Sequence, residues 1–143
     1  MANDSTKRFA PVEVDVSEWP VVVVTPPPEP ANEPMLEAFM DDWVTKTRHR
    51  AGSYVCVLDL RRSGHMSPAQ RRTLTDWMNK SRDGLARTCL GTALIFDSAL
   101  LRAMLTAVFW AFRPPYPTQV FSTRHEAIGW AKLRTQNQPL LST

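Results

Sequence analysis

The chain has 143 residues, of which 43% are hydrophobic and 22% charged, and carries a net charge of +3. That is the size of one domain, able to bury a core without disulfides or metals, and its basic residues are too thinly spread for a nucleic-acid-reading face. The longest apolar stretch, Ala99 to Phe112, contains Arg102 and Thr106 and falls short of the ~20 residues a membrane span needs.

Residues 1–11 are polar and read as a flexible N-terminal segment, followed by one domain over 12–137 and a tail over 138–143. VEVDV (12–16) alternates apolar and acidic residues, as a strand with one wet face does. After a turn at Ser17-Glu18-Trp19-Pro20, the β-branched run VVVV (21–24) suits a strand covered on both faces. These two strands are expected to form an antiparallel hairpin. TPPPEPANEP (25–34) lacks the backbone donors for regular structure and reads as a stiff spacer.

A first helix is predicted from Asn32 or Glu33 to Arg50. Leu36, Phe39, Met40, Trp43, Val44 and Thr47 form its inner stripe. Acids crowd its start and bases its end, opposing the helix dipole with the right sign at both. YVCVLDL (54–60) reads as a buried strand and RRSGHM (61–66) as a polar loop. Ser67-Pro68-Ala69-Gln70 has the pattern of a capped helix start, with Leu74, Trp77, Met78 and Leu85 facing inward. TCLGTALIF (88–96) is the next strand.

Asp97 or Ser98 then caps a third helix, apolar on two sides, which Pro114 and Pro115 end. One side carries Leu101, Met104, Leu105, Val108 and Phe112, and the other Leu100, Ala103, Ala107, Trp110 and Ala111. Either neighbouring elements cover the second side, or it meets a partner or ligand. Thr118 to Ser122 is a last strand, and Thr123-Arg124-His125-Glu126 opens a final helix with Ala127, Trp130 and Ala131 inward. Strands alternating with helices after an initial hairpin imply an α/β domain with a mixed, mostly parallel sheet of about four or five strands and about four helices.

Cys56 and Cys89 each lie in an apolar run without CxxC or histidine at ligand spacing, so small buried hydrophobes are expected rather than zinc ligands. A disulfide between neighbouring strands stays open as the alternative. No apolar leader precedes the domain, and a reducing cytoplasm is the expected location. The histidines, His49, His65 and His125, fall on separate elements, and no glycine-rich phosphate loop is present. Neither catalysis nor a cofactor is expected.

SALLRAMLTAVFWAFRPPYPTQVFSTRHEAIGWA (98–131) resembles the C-terminal part of STAS-like (SpoIIAA-like) bacterial domains. Trp19-Pro20-Val21-Val22-Val23, the Val57-Leu58-Asp59-Leu60 strand and the Ser-Pro-Ala-Gln-Arg-Arg helix start (67–72) are similar too. The resemblance spans residues 12 to 134 and implies a single SpoIIAA-like domain acting as a protein-interaction or regulatory module in the bacterial cytoplasm. It also implies a phosphorylatable Ser or Thr at a helix start, where Ser67 stands. Yet the flanking Asp and Gly of that pattern are missing, and Pro68 removes a donor, which favours a plain cap.

Two functions follow, protein docking as the primary expectation and ligand carriage as the alternative. The first is docking of a protein partner, or of a second copy, through the apolar helix face, with Trp110 as anchor and Tyr116 and the Ser67 loop nearby. The second is carriage of a small apolar or lipid-like ligand beneath the third helix, in a cavity lined by Met104, Phe109 and Phe112. Its headgroup would lie near Arg61, Arg62 and Arg102, with His65, Asp97 and Ser98 at the same strand ends.

Overall fold

The structure, a computed structural model, describes residues 11–48, 50, 52–62, 67–81, 84, 87–99, 103 and 116–136. Five strands, β1 (Glu13–Glu18), β2 (Val21–Thr25), β3 (Tyr54–Asp59), β4 (Cys89–Ile95) and β5 (Thr118–Phe121), form one sheet in the order β1-β2-β3-β4-β5. β1 and β2 pair antiparallel, and the remaining neighbours pair parallel. Three helices are described: α1 (Glu33–Arg48), α2 (Pro68–Lys80) and α3 (Arg124–Gln136). Leu85 and, apart from Ala99 and Ala103, the expected third helix from Leu100 onward lie outside the described residues.

β1 runs on through Ser17 and Glu18, which the sequence pattern assigns to the turn. A bulge accommodates them: the register slips between Asp15 and Glu18, and Ser17 N–H donates to Asp15 Oδ1 at 2.9 Å. The expected burial of Val21 to Val24 is met, all four being buried. Their period of two sends alternate side chains into two separate cores.

One core joins Val21, Val23, Val55, Val57, Ala93 and Ile95 to Ala127 and Ala131 of α3. The small alanines let α3 approach the sheet closely. Opposite lies the second core, where Val14, Val22, Val24, Tyr54, Cys56 and Cys89 meet Trp43, with Phe39 and Val44 of α1 and Trp77 of α2 against them. α2 buries none of its residues fully.

α2 begins as its sequence predicts. Ser67 Oγ accepts from Gln70 N–H at 3.1 Å, and Gln70 Oε1 accepts from Ser67 N–H at 2.8 Å. Glu126 N–H likewise donates to Thr123 Oγ1 at 3.2 Å, but the Glu126 carboxylate takes the Thr123 hydroxyl proton instead of the backbone one. The two cysteines are free thiols, both buried.

Candidate functional site

Between the sheet and the α1–α2 layer lies a cavity of about 420 Å³. α1 supplies Met35, Leu36, Phe39 and Trp43; α2 supplies Leu74, Trp77 and Met78. The sheet side is formed by Val24, Cys56, Leu58, Cys89 and Thr92, with Tyr116 beside them just before β5. Phe39 meets Trp77 edge-on at 6.1 Å and Trp43 at 6.3 Å, so the aromatic wall is interlocked.

The proline-rich segment 25–34 forms part of the rim. Pro26, Pro27, Glu29 and Ala31 line it, and Gln70 Nε2 donates to the Ala31 carbonyl at 2.8 Å. Gln70 therefore closes the cap of α2 and ties that helix to the strap. The described charged residues of the wall are Glu29 and Arg71, both exposed.

A backbone irregularity shapes the floor. Tyr54 pairs with Cys89, but Val55 pairs with Gly91, so Leu90 is an extra residue in β4. Counting in twos back from Thr92 would put Cys89 on the α3 side. The bulge turns Cys89 onto the cavity side instead, where its thiol lies 3.8 Å from Thr92 Oγ1. On the far side, Arg134 Nε of α3 donates to the Leu90 carbonyl at 3.1 Å, and the same guanidinium lies 5.1 Å from the Trp130 ring centroid. Gly91 makes this approach possible, since a Cβ there would sit 2.9 Å from Trp130.

The floor is inhospitable to negative charge. Burial pushes the Cys56 and Cys89 thiols and the Tyr116 phenol above their ordinary values, and the neighbouring sulfurs push in the same direction on Cys56 and Tyr116. The thiols are accordingly protonated, and Cys89 donates to the Gly91 carbonyl at 3.3 Å. These are not the thiolates that nucleophilic catalysis requires.

The expected residues separate into distinct places. Tyr116 reaches the cavity wall. Arg61 does not offer a free anion site, because Asp59, two residues earlier, takes its guanidinium in a bidentate pair at 2.9 and 2.7 Å. Arg124 approaches the same carboxylate at 3.7 Å. Arg61, through its hydrogen bond above all, holds Asp59 below the usual carboxylate range. Asp97 contributes to the field on Arg61. Arg62 lines an open depression with Pro26, Pro27, Pro28, Asp42 and Lys46. Ser67 is the cap of α2, and Ser98 is half-buried after β4. His65, Arg102 and Trp110 lie outside the described residues, as do Met104, Phe109 and Phe112.

The cavity residues that α1, α2 and the sheet contribute were visible in the sequence only as core. The aromatic stripes of α1 and α2 are legible, but nothing there shows that small Cys56, Cys89 and Thr92 lie opposite them. Among the described residues, no group of three metal-ligating side chains is assembled, and no helix is long and apolar enough to cross a membrane.

No family model matches the chain, and no curated protein matches it. Among solved structures it is similar to an uncharacterized protein of the DUF3478 family from Shewanella loihica PV-4, which has a SpoIIAA-like fold. The two share 11% identity, with a TM-score of 0.62 over 84% of this chain and 91% of that one. The likeness anticipated from the sequence motifs is therefore one of architecture, and the chain has a SpoIIAA-like fold.

Proposed function

We propose that this domain is a non-enzymatic binding protein for a small apolar molecule held between the sheet and the α1–α2 layer. The observation that carries this reading is the cavity of about 420 Å³, with charged side chains in its described wall only at the rim. Ligand sites have this character: concave, mostly apolar, with a few convergent polar groups. Filled to the ~0.74 packing density of protein interiors, it takes roughly 310 Å³ of ligand, the bulk of a long acyl chain or a fused-ring hydrocarbon. Free, buried Cys56 and Cys89 suit a reducing compartment such as the cytoplasm.

The competing reading, a protein-docking module, depends on Trp110, which lies outside the described residues. No described feature favours it over the cavity. Nile red, a neutral dye that brightens in apolar surroundings, separates the two readings. Titration should give saturable binding, and Leu74→Trp, which fills the cavity from α2, should abolish it without lowering the melting temperature. Absence of saturable binding, or undiminished binding by a folded L74W protein, would sink the proposal.

A further inference from the structure

The proline-rich strap is fastened at both ends. Thr25 pairs with Glu13 in the β1–β2 hairpin, and Asn32 Oδ1 accepts from Met35 N–H at 2.9 Å, capping α1. Between these ends, Pro26, Pro27, Pro28 and Pro30 have no N–H to give and hold their φ angles fixed. The strap is therefore stiff, and its backbone offers the rest of the fold little beyond carbonyls. It also stands between two spaces. Pro26 and Pro27 line the cavity on one side and the open depression that Arg62 lines on the other, so the strap has room to move outward. The Gln70 amide of α2, donating to the Ala31 carbonyl at 2.8 Å, holds it against that helix.

We infer that the strap is the gate by which the apolar ligand enters and leaves, and that the Gln70–Ala31 hydrogen bond is its latch. This deepens the cavity reading and rests on it. The two ends of the Gln70 amide have separate tasks. Oε1 accepts from Ser67 N–H at 2.8 Å, which fixes the side chain to the start of α2, and Nε2 is then aimed at the strap. Ala31 lines the cavity on one side of the latch, and Arg71 and Leu74 of α2 line it on the other, so breaking the bond parts the wall there. One hydrogen bond between neutral groups has a small net worth, so the latch opens thermally without unfolding the helix. Because it closes the empty and the filled chain alike, it slows entry and exit together.

Stopped-flow mixing of the full chain with Nile red at several concentrations gives the entry and release rates that test the inference. Gln70→Glu keeps an oxygen to accept from Ser67 N–H, as capping-box glutamates do, but turns an acceptor instead of a donor toward the Ala31 carbonyl. Both rates should rise about fivefold, the worth of one hydrogen bond, with their ratio nearly constant. Ser67→Ala weakens the cap but keeps the amide donor, and should quicken exchange less. Unchanged rates in a folded Q70E chain that still binds the dye overturn the inference. So does an equal or larger quickening in S67A, which would trace exchange to fraying of α2. A rise in release alone also overturns it, because the substitution would then have weakened the bound state and not the gate. Where Q70E does not fold, Pro28→Gly combined with Pro30→Gly, at exposed strap positions, slackens the strap without touching α2 and should raise both rates. Unchanged rates in that variant overturn the gate equally. Failure of the parent chain to bind Nile red saturably removes the cavity reading beneath, so the two failures are distinguishable.

Discussion

The two faces of the sheet use the same strands and are packed to different ends. On the α3 face, alanines at positions 127 and 131 and a bare backbone at Gly91 bring the helix down onto Val55, Val57, Ala93 and Ile95. On the other face, bulky aromatics of α1 and α2 stand over the small side chains of Cys56, Cys89 and Thr92, and space remains. Small against large can close a gap or prop one open. Here α3 does the former, and the interlocked Phe39, Trp43 and Trp77 do the latter. The tight face also supports the open one, because Arg134 of α3 satisfies the bulge carbonyl that turns Cys89 toward the cavity.

The strongest way to break this contrast is to truncate a side chain on each face. Ile95, with no exposed surface, should cost about 2–5 kcal/mol as Ile95→Ala. Leu74→Ala, which enlarges an existing space at a half-buried position, should cost under about 1 kcal/mol. Equal losses in urea denaturation would show that the two faces are packed alike. Gly91→Ala sharpens the point, since its new methyl would lie 2.9 Å from the Trp130 ring and 3.1 Å from the Pro117 carbonyl. A cost of about 1–3 kcal/mol is expected from that overpacking, and a neutral effect would mean that α3 yields easily.

The end of the tight face is fastened by Asp59, whose carboxylate holds Arg61 and approaches Arg124 at the start of α3. Both guanidiniums are partly exposed, which weakens the pairing, so Asp59→Asn should cost about 1–2 kcal/mol near neutral pH. Arg61 lowers the Asp59 pKa in the folded chain. Its contribution is complete above the unfolded value of about 4 and disappears as pH falls through the folded value. Stability curves of D59N and the parent should therefore converge in acid, and parallel curves down to pH 2 would refute the assignment. Ser67→Ala should cost about 1 kcal/mol through loss of the α2 cap, with Gln70 left less firmly set against Ala31.

The strand and helix order was legible because alternation, β-branched runs and capping residues are local signals. Ser67 and Gln70 declare their cap within four positions of chain. The cavity and the engagement of Arg61 were not legible, for three physical reasons. The strap 25–34 reads as a spacer from its prolines, and only the Gln70 contact across the fold makes it a rim. Cys89 is assigned to the wrong face by simple alternation, because the extra Leu90 in β4 is a matter of pairing with β3. Arg61 looks available for an anion until Asp59, already present in the YVCVLDL strand, is seen to claim it. Tyr116 was found as a candidate, though as a neighbour of Trp110 rather than as part of this wall.

The central claim is that the space beneath α1 and α2 exists to be occupied. Native mass spectra of the protein purified from a cellular extract, recorded before and after denaturation, address it most directly. The account predicts a small apolar adduct on the folded chain that departs when the chain is denatured and is lost in L74W. The bare mass of the chain in both spectra would contradict it.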